Sequence, residues 1–285
     1  MLTYPYGVGS TITRVIEAGQ GEPLVLLHGV GARADRWMRN IPGLTNAGFH
    51  VFALDFPGHG FATKGQNQPA SVPAYADFVE AFIAKKNFGP TVLIGTSLGG
   101  HVAATVSVRR PDLVRALVLV GTVGIVPVGQ DRRERTGTRL RQTSLEAIET
   151  KLRGLIHDDT RFVTDEWIRE EHSINTSPGA ADSLEQIGEY FRLHLDSDLV
   201  GAELAALVHQ LPVLLVWGTH DVAFPPEMAL ACQALLGGQI PLVFLENTGH
   251  APYLERPDTF NKVITDFLAA RNVDTTATST PMRTV

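Results

Sequence analysis

The stretch Gly95-Thr96-Ser97-Leu98-Gly99-Gly100 constrains this chain more than any other. Before it runs Thr91-Val92-Leu93-Ile94, short, apolar and mostly β-branched, the pattern of a buried strand. After it, residues 101–108 can form a helix that Pro111 ends. A strand that becomes a helix within six residues leaves Ser97 at the apex of the turn, in a strained conformation. Gly95 and Gly99 lack the Cβ atoms that would hold the flanking segments apart. The hydroxyl then stands at the carboxyl end of a sheet. The first N–H groups of the helix, which have no partner within it, face the same space. Such a place suits a nucleophile and an oxyanion.

The rest of the chain alternates around this turn. Residues 11–18 and 23–28 form the expected first strands, 34–47 a helix, 50–55 a third strand and 75–86 a helix with Phe78, Phe82 and Ile83 on one face. A buried strand follows at 115–121. Strands alternating with helices predict an α/β fold, a mainly parallel sheet with helices on both faces. The pattern changes at 124–208, where no buried strand is visible but helical periods recur, as in Leu145, Ile148, Leu152 and in Leu184, Ile187, Phe191. This predicts a helical lid inserted into a core made of 1–123 and 209–272. Strands return at 212–217 and 240–245, and the last helix starts at Pro257. The segment 273–285, rich in Thr and Ser, is expected to be disordered.

Composition excludes several classes. A formal net charge of −6 argues against a nucleic-acid surface. Cys232 is the only cysteine, so no intrachain disulfide forms, and a cytoplasmic location is expected. No apolar run is long enough for a membrane span, and no secretory signal is visible. No His/Cys cluster has metal-ligand spacing, so no metal and no organic cofactor is expected.

A serine hydroxyl needs a base, and the base needs a third group to orient it. In an open parallel sheet both come from loops at the carboxyl ends of other strands. Gly218-Thr219-His220-Asp221 delivers Asp221, and Asn247-Thr248-Gly249-His250 delivers His250. His101 and His220 flank the site but are weaker candidates for the base. His28 and His59 sit in tight Gly turns where each can bond backbone. Glu255 fits a backbone or arginine partner better than a catalytic acid.

The order Ser97, Asp221, His250 resembles that of the α/β-hydrolases, as do the His28-Gly29 turn, the loop Asp55-Phe56-Pro57-Gly58-His59-Gly60 and the run from Gly249 to Pro257. The resemblance implies that Ser97 attacks an acyl carbon, His250 moves the proton and Asp221 holds the imidazole. It implies backbone N–H donors to the oxyanion at Leu98 and Val30. Gly29, Gly31, Thr96, Trp167 and Arg169 are the candidate substrate contacts, although Trp167 and Phe191 fit the interior of the lid better. The arginines at 132, 133, 135, 139 and 141 form either a solvated face or a draw for anionic substrates.

Within that superfamily the Gly29-Val30-Gly31 loop, Gly121-Thr122-Val123-Gly124 and the segment from Phe162-Val163-Thr164-Asp165-Glu166 to Ser177-Pro178-Gly179 resemble those of the meta-cleavage product hydrolases, which cut a C–C bond in 2-hydroxy-6-oxo-dienoates. The chain departs from them at Thr96, where they carry Asn, at Ala251, where they carry Trp, and near Glu171, where they carry a carboxylate-binding Arg. A Glu there is expected to repel the substrate carboxylate, with Arg169 or an arginine of 132–141 as the replacement. An ester or related acyl bond in a small to medium, partly apolar substrate is therefore the first expectation, and C–C cleavage the alternative. Two further classes are weighed. Gly29-Val30-Gly31-Ala32-Arg33-Ala34 with Asp55 has dinucleotide-binding spacing, but leaves Ser97, Asp221 and His250 unexplained. A small-molecule receptor on the same fold differs only in turnover. The partner is a small molecule; the oligomeric state is left open.

Overall fold

A computed structural model describes residues 1–276, with side chains as far as 270. Of the tail expected at 273–285, residues 273–276 belong to the last helix, and the others lie outside the described residues. The strands β1 (Leu2–Val8), β2 (Thr11–Ala18), β3 (Glu22–Leu27), β4 (Phe49–Leu54), β5 (Thr91–Thr96), β6 (Val114–Val120), β7 (Val213–Gly218) and β8 (Leu242–Leu245) form one sheet in the order β1-β2-β4-β3-β5-β6-β7-β8. The β1/β2 and β2/β4 pairs are antiparallel and the others parallel.

Alternation along the strands divides the core into two layers. Leu24, Leu26, Val92, Ile94, Val118 and Val120 point to one face, where Trp37, Leu44, Phe260 and Ile264 cover them. Val25, Leu27, Leu93, Leu117 and Leu119 point to the other, under Phe82, Val102 and Met228. Each fully buried large side chain contributes about 1.5–3 kcal/mol. The covering helices are α1 (Val72–Lys86) and α2 (Leu98–Arg109) on the second face.

From Gln130 to Leu207 the chain is helical, with α3 (Gln130–Leu140), α4 (Leu145–Arg153), α5 (Asp165–Asn175), α6 (Ala180–Leu193) and α7 (Gly201–Leu207). Then come α8 (Pro226–Leu235) and, on the first face, α9 (Pro257–Thr276). No strand lies between β6 and β7. Leu140, Ile187 and Phe191 join one core layer, and Ile148, Leu152 and Ile168 join the other. The helical segment therefore sits astride the sheet's carboxyl edge and touches both layers.

Three elements differ from expectation. Strand β1 went unnoticed because Pro5 and Gly7 weaken its pattern; as an edge strand that pairs only with β2, it tolerates both. The helix expected at 34–47 is two short pieces, Ala34–Trp37 and Ile41–Asn46. Pro42 fits the first turn of a new helix but breaks a continuing one. Between them the Asn40 side-chain amide donates to Tyr253 O at 3.0 Å, which ties the break to the segment just before α9. Helix α1 begins three residues earlier than expected, because Ser71 caps it by accepting from Ala74 N.

Candidate active site

Ser97 follows β5 directly and has φ 54° and ψ −118°, a conformation an L residue adopts only under constraint. Its N–H donates to Val120 O on β6 at 2.9 Å, and its carbonyl accepts from Gly100 and His101 N–H. The glycine requirement is steric. A Cβ on Gly95 would fall 2.1 Å from Gly99 O, and one on Gly99 would fall 2.4 Å from Leu27 O. Leu98 opens α2, where the N–H has no intrahelical partner. Gly29 lies against the serine, since a Cβ there would stand 3.2 Å from Ser97 Cβ. That closeness brings the Gly29–Gly31 loop, with Val30 in it, beside Ser97.

His250 Nδ1 lies 2.7 Å from Asp221 Oδ2. Asp221 uses its oxygens separately: Oδ1 accepts from the N–H groups of Ala223 and Phe224, both at 2.9 Å, and so fixes its own loop. Oδ2 is left for the imidazole. The backbone of His250 is held from the helical segment, its N–H donating to Leu155 O at 2.8 Å. Glu255 secures the same contact by accepting from Gly249, His157 and Asp158 N–H. It is thus the backbone partner expected, not an acid.

The other histidines are engaged elsewhere. His28 is buried, with Nδ1 2.7 Å from Gly29 O and Nε2 accepting from Phe56 N–H. Burial pushes its imidazole down to about 3, and does the same to His59. His101 Nε2 lies 2.7 Å from Asp198 O, and burial lowers it to about 4. His220 stacks on His157. Asp55, the candidate ribose ligand, is fully buried and accepts from Arg14, Ala34 N–H and Phe61 N–H. No lone pair is left facing outward for a dinucleotide, and the dinucleotide reading loses its acid.

Ser97 and His250 line one cavity of about 460 Å³. Gly29, Val30, Gly31 and Thr96 form its floor beside them, and Trp167 and Phe191 reach it from the helical segment. Leu98 does not line it, because its side chain is buried in the core below. Arg169 does not line it either; it lies exposed on α5, so the expectation of a substrate contact there fails. Helix α5 turns Ile168 and Glu171 inward, and Arg169 therefore faces out.

Five basic side chains line the cavity: Arg36, Lys151, Arg132, Arg135 and Arg139. No Asp or Glu does. Glu171 stands behind them, 1 % exposed, paired with Arg33, Arg36 at 2.9 Å and Lys151 at 3.1 Å. Burial pushes its carboxyl up, but Arg36, Lys151 and Arg33 outweigh that and hold it at about 2. The expectation of a repelling carboxylate is corrected, since Glu171 is neutralised by its own cations. Arg36 also lies over the Trp167 ring, at 4.1 Å from its centroid. Arg36 and Lys151 were missed from the sequence, where nothing marks which cations a distant Glu will gather. Among the described residues no group of His, Cys, Asp and Glu is placed to hold a metal ion. Nor is any described helix long and apolar enough to cross a membrane.

A serine at a strand-to-helix apex and a carboxylate-bound histidine thus meet at the carboxyl ends of β5, β7 and β8. The alpha/beta hydrolase fold family matches residues 22–257. The chain belongs to that family. It is 32% identical over 260 residues to the (E)-2-((N-methylformamido)methylene)succinate hydrolase of Acinetobacter baylyi, covering 88% of this chain and 92% of that one. It is 28% identical over 270 residues to the 2-hydroxy-6-oxononadienedioate/2-hydroxy-6-oxononatrienedioate hydrolase 1 of Pseudomonas putida, covering 88% and 90%. Among solved structures it is similar to a serine hydrolase involved in carbazole degradation, the CarC enzyme. The TM-score is 0.81 at 25% identity, over 94% of this chain and 99% of that one.

Proposed function

We propose that this α/β-hydrolase family member cleaves an acyl bond of a small to medium, partly apolar substrate through an acyl-enzyme on Ser97. The observation that carries the reading is that Ser97 and His250 share one cavity while Asp221 Oδ2 holds His250 Nδ1 from behind. In this reading Nδ1–H donates to Asp221, which leaves Nε2 free to accept a proton. His250 takes the proton of Ser97 Oγ as the oxygen bonds to the acyl carbon. The N–H groups of Val30 and Leu98 receive the oxyanion. His250 then gives the proton to the leaving group. Water, deprotonated in turn by His250, attacks the acyl carbon; the acyl–Oγ bond breaks, His250 returns the proton to Ser97 Oγ, and the acid leaves. The helical segment 124–208 serves as the lid, since Trp167, Phe191 and the α3 arginines line the cavity opposite the sheet edge.

A fluorophosphonate probe together with p-nitrophenyl acetate and butyrate tests this. The expected result is labelling at Ser97 with ester turnover. Labelling elsewhere, or none, sinks the assignment.

A second reading is C–C hydrolysis of a 2-hydroxy-6-oxo-dienoate. One observation favours it: the ion pairs of Glu171 remove the like-charge objection to a substrate carboxylate in this cavity. The Pseudomonas relative is named for dienedioate substrates, and the Acinetobacter relative for a succinate. Rapid loss of the dienoate chromophore, with esters turned over slowly, would promote this reading over the first.

A further inference from the structure

The positive charge around the cavity falls into two sets, and only one of them is compensated. The inner set, Arg36 and Lys151 with Arg33 behind them, converges on Glu171, and Arg33 also pairs with Asp35 and Glu170. Its charges are largely answered by protein carboxylates. The outer set is on α3. Arg132, Arg135 and Arg139, spaced by three and four residues, lie on successive turns of one face, and that face lines the cavity. None of the three has a carboxylate within ion-pair distance among the described residues.

The opposite face of α3 behaves differently. Arg133 donates to Arg192 O at 2.6 Å and pairs with Asp196, and Glu134 pairs with Arg192. Arg141, just past the helix, pairs with Glu185. Helix α3 thus satisfies the basic groups it packs against α6 and leaves those it presents to the cavity unmatched. Three like charges on one helix face repel one another, a cost that an anion between them removes. The chain as a whole carries net charge −6, so this cationic wall runs against its overall balance.

We infer that the cavity face of α3, through Arg132, Arg135 and Arg139, is a subsite for an oxyanion group on the substrate, remote from the bond that Ser97 attacks. Arginine forks bind carboxylate and phosphoryl oxygens alike, so the shared chemistry is a planar or tetrahedral oxyanion. The inference rests on the Ser97 reading only for the orientation of the substrate. Arg135 and Arg139 are exposed, so the attraction is screened by salt.

The test separates the subsite from the chemistry. Binding to Ser97→Ala protein, measured by calorimetry, needs no turnover. Mono-p-nitrophenyl glutarate, with a free carboxylate, is compared with neutral p-nitrophenyl butyrate. Butyryl-coenzyme A is compared with the phosphate-free butyryl-N-acetylcysteamine. The anionic member of at least one pair is expected to bind about tenfold tighter at low salt, with the difference shrinking at high salt. Preference within the first pair assigns a carboxylate, and within the second a phosphoryl group. Replacing all three arginines with Gln is expected to abolish the preference, with the melting temperature confirming a folded protein. Equal binding within both pairs, or a preference that survives the triple replacement, overturns the subsite and leaves Ser97 as nucleophile untouched. Failure of Ser97 to take the fluorophosphonate overturns the nucleophile and leaves a measured binding preference standing.

Discussion

At the carboxyl edge of the sheet, most of the bonds that hold the candidate site run between residues near one another in sequence. Asp221 is fixed by Ala223 and Phe224, the Ser97 carbonyl accepts from Gly100 and His101 N–H, and Asp221 reaches His250 across 29 residues; the one far longer bond, His250 N–H to Leu155 O, comes from the helical segment itself. In the helical segment between β6 and β7 the holding contacts are long-range. Glu171 pairs with Arg33 and Arg36, 138 and 135 residues away, and Glu255 reaches His157 across 98. The two regions meet in one cavity but are built by different means. Short-range constraint largely places Ser97, Asp221 and His250, whereas long-range charge pairing shapes the wall around them.

If that division holds, substitutions at the edge should remove chemistry and leave the fold, and substitutions in the segment should do the reverse. The largest effect is expected from Ser97→Ala, a fall in kcat of about 10⁴-fold or more with the melting temperature little changed. Asp221→Asn should cost about 10³–10⁴-fold, because the amide no longer accepts the Nδ1 proton and favours the wrong tautomer. Steady-state kinetics on p-nitrophenyl esters check both. Near-normal activity in either variant would mean that a different nucleophile, or a different carboxylate, does the work.

In the segment the prominent variant is Glu171→Gln. It leaves Arg33, Arg36 and Lys151 without their shared anion, and breaking a buried ion pair costs about 3–5 kcal/mol. A melting temperature lowered by less than a few degrees would show that the network is not what fixes α5. The effect also has a pH signature. The Glu171 carboxyl is held at about 2, below its ordinary 4.5, so its stabilisation is complete above about 4.5 and lost as pH falls towards 2. His28 and His59, buried neutral at about 3 against an ordinary 6.5, behave on the same side: their contribution is complete above 6.5 and drains away between 6.5 and 3. Melting temperatures followed from pH 7 downwards should therefore decline in both proteins from near 6.5. The gap between wild type and Glu171→Gln should stay constant to about pH 5 and narrow below 4.5. A gap already closing at pH 6 would assign the network to a different titrating group.

How much was legible in the sequence follows the same division. Gly95, Ser97 and Gly99 specify a turn by steric exclusion among six residues, and the strands leading to Ser97, Asp221 and His250 announce themselves by apolar runs of ordinary length. Glu255 could be recognised as a backbone partner because it lies six residues from the Gly249 N–H it accepts from. By contrast, the fate of Glu171 depended on which distant cations the fold delivers, and a single chain carries no local mark of that. Arg169 misled for a related reason, since its helix could be seen but the rotation of that helix against the sheet could not. The arginines of α3 were ambiguous between solvent and cavity until α6 was seen to occupy the opposite face. Strand β1 escaped notice because pairing with β2, not its own pattern, makes it a strand.

The smallest prediction puts a local device inside the long-range region. Thr164 caps α5 by accepting from Trp167 N–H at 3.2 Å, and α5 carries both Trp167 and Glu171. Thr164→Ala removes a single exposed capping bond, which is worth about 1 kcal/mol. That corresponds to a fall of about 2–4 °C in melting temperature for a chain approaching this size. The rate of fluorophosphonate labelling at Ser97 should not change, because the ion pairs of Glu171 still hold the helix against Arg33 and Arg36. A loss as large as that of Glu171→Gln would mean that the cap, and not the network, positions α5. The contrast between the two regions would then disappear, with local contacts governing both.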